Sequence, residues 1–229
     1  LRRFGARQLE FACHAALPLA LTPDLLYRLW KLFGLPNGAP WIAVSDLLLS
    51  DLCEPVGFAG EELFEMRQDE RAELLQLLAA SFGRARVDEV AHFVFDYALR
   101  LLDSDTPGVS DVAYAQRWTA QTFVEPAQAA RELTRSLAGH VAQHDIDEVA
   151  RVTALIELSS ERLAAFPDLL DYARGVLARY SGDETEALAR LERFGSSATA
   201  TVAGERTPLP GPPTIEAAPR PGITMPLER

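Results

Sequence analysis

Residues 53–66 read CEPVGFAGEELFEM and form the one stretch of this chain without a plain helical pattern. Gly57 and Gly60 lie between two short segments in which apolar and polar residues partly alternate, and this composition predicts a small β-hairpin. On both sides of the hairpin, apolar residues recur at the helical period. The sequence therefore predicts two helices, a hairpin and a further helix within residues 1–82.

The helices around the hairpin carry clear start and packing signals. Thr22 is the predicted N-cap of the first helix, and Pro23 suits its first turn. The pattern predicts the second helix over Trp41–Leu52 and the helix after the hairpin over Asp69–Ala80. The apolar face of the first helix consists of Leu25, Leu26, Leu29, Trp30 and Phe33.

Residues 83–195 are predicted to form an array of helices. Asp, Gly, Ser and Pro residues separate the helical patterns at short intervals. Short loops favour antiparallel packing of neighbouring helices. The predicted helices are Val87–Leu102, Ser110–Thr122, Pro126–Leu137, Asp145–Phe166, Asp168–Tyr180 and Glu184–Phe194.

The composition changes after Gly195. Residues 196–229 contain seven prolines and few large apolar side chains, so burial cannot offset the entropy of ordering them. We predict a disordered Pro-rich linker there and expect another domain to follow it. The first residue is Leu, which leads us to expect a fragment of a longer protein.

Composition and charge exclude several classes of protein. The 229 residues carry a formal net charge of -11, which disfavours sequence-independent binding to nucleic acid. Two cysteines, Cys13 and Cys53, cannot build a disulfide framework and fit the reducing cytoplasm. The most apolar run, Phe11–Leu21, is too short to span a bilayer, and Glu10 and His14 do not suit a signal peptide.

The stretch Phe64–Arg71, FEMRQDER, is followed by Leu74 and Leu75 and resembles the end of the winged-helix module in STAND-type signalling NTPases. The family has Met-His-Asp there, followed by Val-Arg and leucines. Met66 and Arg71 match that spacing, whereas Arg67 and Gln68 occupy the positions of the His and the Asp. The resemblance covers residues 20–80 and implies a degenerate winged helix with the hairpin as its wing. The family's His contacts nucleotide, so its replacement argues against nucleotide sensing here.

Two further stretches are similar to a helical region of large bacterial signalling or conflict proteins. They are Phe11–Tyr27, FACHAALPLALTPDLLY, and Pro40–Ser50, PWIAVSDLLLS. In those proteins the region is a connector beside caspase-like, NTPase or formylglycine-generating-enzyme-like modules. The resemblance implies coupling between domains rather than chemistry.

A third resemblance, to one tetratricopeptide (TPR) hairpin, is local. Small residues allow paired helices to approach closely, and Gly182 permits a tight turn between them. One hairpin does not make a repeat protein, because about three neighbouring copies are needed for a continuous core. The matching residues are Gly175, Ala178, Gly182, Asp183, Ala187 and Leu191.

Two groups of residues raise the question of metal binding. His140 and His144 lie four residues apart near Asp145 and Asp147, which is a spacing that can bind Zn²⁺ on a helix. Gly139 indicates a helix junction instead, and we interpret both imidazoles as solvated loop residues. An EF-hand is excluded by Pro107 and Tyr114 at ligand positions, although its other residues suggest one. Those residues are Asp103, Asp105, Gly108 and Asp111.

Neither cysteine is predicted to be a nucleophile. Adjacent side chains on a helix diverge by about 100°, so Cys13 does not face His14. We interpret Cys13 and Cys53 as buried structural thiols. The chain also lacks a Gly-x-x-x-x-Gly-Lys phosphate-binding loop, so this segment is not itself a P-loop ATPase.

A winged helix often binds DNA through a basic second helix in the major groove. The corresponding predicted helix, Trp41–Leu52, carries Asp46 and Asp51 and no basic residue. Phosphates would be repelled by it. We therefore predict a protein partner, or adjacent domains of the same chain, and no nucleic acid or membrane.

These observations give one preferred interpretation. The chain is mainly α-helical, with a degenerate winged helix packed on an antiparallel TPR-like array. We predict a non-enzymatic coupling module of a bacterial signalling or defence protein, with no catalytic, cofactor or metal residues. The alternatives are a metal-dependent hydrolase using His140 and His144, or a stand-alone helical scaffold. The predicted structural residues are Trp30, Trp41, Trp118, Phe64, Met66, Arg71, Gly175, Gly182 and Ala187.

Overall fold

The computed structural model describes residues 5–58, 61–103, 110–195 and 197–210. It is mainly helical, as predicted. The helices are α1 (Ala6–Ala15), α2 (Pro23–Leu29), α3 (Ala43–Leu48), α4 (Gln68–Leu102), α5 (Ser110–Val124), α6 (Pro126–Gln143), α7 (Ile146–Leu158), α8 (Pro167–Tyr180) and α9 (Glu184–Leu191). The strands are β1 (Ala20–Leu21), β2 (Cys53–Phe58), β3 (Glu61–Met66), β4 (Thr199–Val202) and β5 (Glu205–Pro208).

The hairpin predicted from residues 53–66 is present and belongs to a three-stranded antiparallel sheet. The strand order is β1-β3-β2, with Leu21 and Pro55 both paired to Phe64 on the central strand. Pro55 has no N–H to donate, and its place on the edge strand β2 avoids that cost. The order α2, α3, β2, β3, α4 is that of the predicted winged-helix unit, with β2 and β3 as the wing, and α1 and β1 precede it.

Two elements of this unit were not predicted. Helix α1 buries Phe11, Cys13 and His14, and β1 is only two residues long. A strand of two residues has no periodicity to detect, because its existence depends on a partner distant in sequence. The start of α2 is as predicted: the Thr22 hydroxyl oxygen accepts a hydrogen bond from the Leu25 N–H at 3.1 Å.

The second predicted helix, Trp41–Leu52, is shorter in the structure, and the interpretation of Trp41 as a core residue is wrong. Helix α3 covers only Ala43–Leu48, and Trp41 before it is 67% exposed. The turn residues 34–40 direct Trp41 outward, whereas Trp30 points inward and donates its indole N–H to the Ala39 carbonyl at 2.9 Å.

Helix α4 combines two predicted helices and is broken at the expected place. Gly83 has φ 79° and ψ 171°, so the helical path is interrupted between the halves predicted as Asp69–Ala80 and Val87–Leu102. The first half begins beside β3, where Met66 is buried and Phe64 is half-buried. Arg71 lies in the first turns of α4 and donates to the Leu17 carbonyl at 2.8 Å.

The array of helices departs from the prediction at two boundaries. Helix α6 continues through Gly139 to Gln143, and α7 ends at Leu158 rather than at Phe166. Residues 159–165 form turns in which Leu163 is fully buried. Because the buried turn residue Leu163 is apolar, it continues the apolar pattern of α7, and the sequence therefore predicts a longer helix.

The predicted TPR-like pair, α8 and α9, packs as its small residues require. A Cβ at position 175 would lie 2.7 Å from Leu191 Cγ, so the close approach of the two helices depends on glycine. Ala187 is fully buried, and Gly182 has φ 80° in the turn between the helices. Asp171 near the start of α8 pairs with Arg190 near the end of α9, as in an antiparallel pair.

The structure differs from the predicted linker between residues 199 and 208. Strands β4 and β5 form an antiparallel hairpin in which Val202 is fully buried. The Tyr172 hydroxyl donates to the Pro208 carbonyl at 2.7 Å, and Asp168 accepts from the Ala203 N–H at 2.6 Å. The prediction of a linker is based on the proline content of the whole segment, which does not reveal a short apolar hairpin within it. Residues 211–229, the rest of the predicted linker, lie outside the described residues.

The buried apolar side chains form two clusters. The first contains residues of the winged-helix unit, α4 and the end of α5, including Ala120 and Phe123. The second contains residues of α6–α9 and of β4, with Trp118 packed against it. The first cluster thus continues across the predicted boundary between residues 82 and 83. None of the helices in the described ranges is long and apolar enough to cross a bilayer.

Two glycine substitutions test the packing of α8 on α9. We expect Gly175→Ala to lower the free energy of unfolding by about 1–3 kcal/mol, because its Cβ would meet Leu191 Cγ and Arg190 Cβ. Gly139→Ala in α6 is the matched control, since no atom lies within 4 Å of its Cβ position. There alanine should add about 0.5–1 kcal/mol. Urea unfolding measures both, and equal effects would contradict the close packing.

Candidate functional site

The most distinctive surface of the described chain is apolar and lies on the winged-helix unit. Six large apolar side chains between residues 27 and 49 are 43% to 84% exposed. Exposed apolar side chains that are grouped, rather than scattered, mark sites of interaction. We call these residues the exposed apolar face: Tyr27, Leu32, Leu35, Trp41, Ile42 and Leu49.

The backbone that presents this face is held by specific bonds. Trp30 anchors the turn through its bond to the Ala39 carbonyl, and Arg7 of α1 donates to the Gly38 carbonyl at 3.3 Å. Gly38 has φ 75°, a conformation that favours glycine. These contacts fix the segment between α2 and α3, so Leu35 and Trp41 are held outside the core by a defined loop.

Residues 23–49, which carry the exposed apolar face, contain two acidic residues, Asp24 and Asp46, and two basic residues, Arg28 and the exposed Lys31. Helix α3 has the sequence AVSDLL and no basic residue, and its Asp46 accepts a hydrogen bond from Gln8 at 3.0 Å. Arg28 of α2 is paired with Asp24 at 2.8 Å. DNA-reading helices supply cations to phosphates. The face therefore suits an apolar protein surface better than a nucleic acid.

His140 and His144 lie at the junction of α6 and α7. His140 is half-buried in the last turn of α6, so its interpretation as a solvated loop residue is wrong, whereas His144 is exposed and ends the helix in the left-handed conformation with φ 57°. His140 Nδ1 is 3.9 Å from Asp145 Oδ2, and Asp147 is exposed in the first turn of α7. Among the described residues, no group of three His, Cys, Asp or Glu side chains is arranged to hold a metal ion.

The imidazole of His140 instead borders an aromatic cleft of about 360 Å³. Tyr114 and Trp118 of α5 form one wall, and the ion pair between Arg151 and Glu148 lies on another side. Ser136, four residues before His140 on α6, also lines the cleft. Trp118 is half-buried against the second cluster, which agrees with its predicted packing role.

The two cysteines are buried in the first cluster. Burial, aided by Glu10 near Cys13, raises the pKa of the Cys13 thiol to about 11, and burial raises the pKa of Cys53 to about 11 as well. Both are neutral thiols at pH 7, whereas the nucleophile is the thiolate. This environment supports the interpretation of both as structural.

His14 is fully buried beside Cys13 on α1. Its Nδ1–H donates to the Glu10 carbonyl at 2.7 Å, and its ring stacks on Phe33 and meets the edge of Phe82. Burial lowers the pKa of His14, and the hydrogen bond to Glu10 opposes part of that effect. His14 is a neutral part of the core and not a partner for the Cys13 thiol.

Of the residues that suggest an EF-hand in the sequence, the structure describes only a few. Asp103 ends α4, and Tyr114 is 45% exposed on α5. Asp105, Pro107 and Gly108, together with the Asp111 side chain, lie outside the described residues.

The sequence contained one signal for the exposed apolar face. Leu35, Trp41 and Ile42 flank the turn residues 36–40, where the helical pattern is interrupted. The interpretation of Trp41 as a core residue relied on its apolar character alone. Only their positions around the turn distinguish them from Leu25 or Leu29.

The burial of His14 predicts a pH-dependent stability. The folded protein resists protonation of His14, whereas the unfolded chain takes the proton near pH 6.5. The free energy of unfolding should therefore be constant above pH about 6.5 and fall below it, by at most about 1.4 kcal/mol per pH unit. In His14→Gln this decrease between pH 7.5 and pH 5.5 should be shallower in urea titrations. Parallel curves for the two proteins would contradict the assignment.

The metal-dependent alternative can be tested directly. We expect purified protein to hold no stoichiometric zinc, and we expect His144→Asn to leave its metal content unchanged, since His140, His144 and Asp145 do not converge on one point. Asparagine tolerates the left-handed conformation at this position, so the fold is kept. Elemental analysis by mass spectrometry gives the content. Near-stoichiometric zinc that is lost in the variant would restore the hydrolase interpretation.

Comparisons with known proteins yielded no relative for this chain. No family model matches it, and no curated protein or solved structure matches it significantly. The functional conclusion therefore depends on the geometry and chemistry of the residues themselves.

Proposed function

We propose that this chain is a non-enzymatic coupling module of a cytoplasmic bacterial signalling or defence protein. It would connect a sensor, NTPase or protease-like domain to an effector, and the exposed apolar face would contact the neighbouring domain or protein partner. The observation that carries the proposal is the exposure of six large apolar side chains within residues 27–49 of a winged-helix unit whose α3 lacks basic residues.

The way the two clusters are joined supports a coupling role. Helix α5 contributes Ala120 and Phe123 to the first cluster and Trp118 to the surroundings of the second. Its Gln116 is 2% exposed; the Leu19 N–H donates to Gln116 Oε1 at 2.7 Å, and Gln116 Nε2 donates to the Ala20 carbonyl. A displacement of β1 would therefore act on α5, and through α5 on the helices that follow.

The resemblance to STAND-type proteins supports the same role without nucleotide binding. Arg67, at the position of the family's His, is exposed between β3 and α4. The buried thiols are neutral, and the carboxylate of Glu157 is held by two hydrogen bonds from Arg174. The ion pair with Arg174 occupies the Glu157 carboxylate. The coupling proposal thus uses the surface rather than a cavity.

Site-specific crosslinking tests this proposal. A p-benzoylphenylalanine placed at position 41 or 49 of the protein expressed in its own cells should crosslink to one defined protein segment, of the same or another chain. The matched control is the same probe at position 188, because Leu188 of α9 is 49% exposed and lies outside the exposed apolar face. Mass spectrometry of the crosslinked peptides identifies the segment.

A substitution separates contact from folding. Leu49 is 84% exposed, so Leu49→Asp should change the free energy of unfolding by less than about 0.5 kcal/mol. It should weaken the contact with the segment found by crosslinking by about tenfold, because a charge would be buried in an apolar interface. Crosslinks to nucleic acid, or the same diffuse pattern from positions 41, 49 and 188, would contradict the proposal.

A further inference from the structure

A cavity lies where the two buried clusters meet, away from the exposed apolar face. Its volume is about 290 Å³, and its walls come from the start of α4, the end of α5 and the turn that follows α7. A second cavity of about 310 Å³ adjoins it beside the wing. Gln68, Arg71 and Leu158 line both cavities, which places the Arg71 guanidinium at their shared wall.

Arg71 is a cation without a carboxylate partner in the described part of the chain. Its Nη2 donates to the Leu17 carbonyl at 2.8 Å, and its Nε is buried with no hydrogen-bond partner. Burial lowers the pKa of Arg71 to about 10, and Glu65 only partly opposes this. A buried charge is costly unless an opposite charge compensates it. Among the described residues, the Arg71 guanidinium thus lacks an opposite charge in direct contact with it.

Arg162 lines the same cavity from the turn after α7. Its guanidinium lies 4.4 Å from the centre of the Phe123 ring, and it forms no ion pair with a described residue. Ser159, which is 7% exposed, and Ser160 add hydroxyl groups to this wall. The cavity therefore combines two arginines that form no salt bridge with a described residue, the hydroxyl groups of two serines, and the carboxylates of Glu157 and Glu161.

Glu161 and Asp88 attract Arg162, but no carboxylate of the described residues forms a salt bridge with Arg71 or Arg162. Glu157 is engaged by Arg174 through bonds of 2.6 and 2.8 Å. Glu161 and Glu65 are exposed, with their charges in solvent. Solvent screens an exposed carboxylate strongly, so its attraction for a buried guanidinium is weak.

We propose that this cavity binds the phosphate group of a small molecule or of inorganic phosphate, held by Arg71, Arg162 and the hydroxyl groups of Ser159 and Ser160. Guanidinium groups bind phosphate through paired, charge-assisted hydrogen bonds, and several donors from different directions suit a tetrahedral oxyanion better than a planar carboxylate. This binding activity is separate from the protein contact proposed above and does not depend on it.

The position of the site gives binding a structural consequence. Arg71 belongs to α4, which packs in the first cluster, whereas Ser159 and Arg162 belong to the turn between α7 and α8, which packs in the second. One phosphate group would be held from both sides. Binding would then stabilise the arrangement of the two clusters and raise the resistance of the whole chain to unfolding.

Titration with sodium phosphate at constant ionic strength, balanced with sodium chloride, tests the site. We expect saturable heat in calorimetry and a rise in Tm that follows the same binding curve. Sodium acetate should give neither at the same concentrations. Glycerol 3-phosphate distinguishes the two sources: tighter binding than inorganic phosphate indicates a phosphorylated small molecule, and equal binding indicates the ion itself.

Matched variants assign the binding to these residues. Arg162→Gln should weaken phosphate binding about tenfold, the loss of one charge-assisted bond. Arg131→Gln is the control, because Arg131 is exposed on α6 and does not line the cavity. Arg71→Lys keeps the charge and a donor toward Leu17, so it should fold while binding phosphate more weakly.

Three results would overturn the proposal. One is the lack of saturable phosphate binding by the unaltered protein. Another is an equal loss of affinity in Arg131→Gln and Arg162→Gln, which would indicate general charge attraction. The third is acetate binding as tight as phosphate binding. Each of them leaves the crosslinking result at positions 41 and 49 unaffected, so the two proposals can fail separately.

Discussion

The burial of α4 is the constraint on which the first half of the structure depends. Leu74 and Leu78 before Gly83, and Val90 and Val94 after it, are fully buried, so both halves of one long helix close the same cluster. Such a path requires the break at Gly83, whose φ of 79° an L-residue rarely adopts. No atom lies within 4 Å of a Cβ at this position, so the need for glycine is conformational and not steric.

Helix α5 packs against both buried clusters and connects them. The buried Gln116 side chain accepts a hydrogen bond from the Leu19 N–H, just before β1, and donates one to the Ala20 carbonyl of β1. Without Gln116 these two backbone groups would lack partners. Three residues further on, Thr119 lines the cavity between the clusters, and Phe123 lies under the guanidinium of Arg162. The contact region between the two clusters therefore contains polar side chains and is not a continuous apolar core. Polar side chains between the two clusters are consistent with both proposals, the coupling role and the phosphate site.

The proposed surface and the core are built from the same residue types. Leu29 is fully buried and Leu32 is 50% exposed, although both are leucines of one short segment. What distinguishes them is the neighbour supplied by the rest of the chain, since α1 covers one side of the segment and nothing described covers the other. Burying apolar area releases roughly 25 cal/mol per Å². Binding of a partner that covers these exposed apolar side chains would therefore be favoured by burial of their apolar area.

The sequence by itself determined the mainly helical class, the hairpin at residues 53–66, the start of α2 at Thr22 and the close pairing around Gly175, because periodicity, capping and small residues are local properties. It did not determine β1, the exposure of Trp41 or the β4–β5 hairpin. Each of these depends on whether a distant segment supplies a hydrogen-bond partner or a covering surface. Arg71 and Arg162 are remote in sequence, and only the tertiary structure brings both to one cavity.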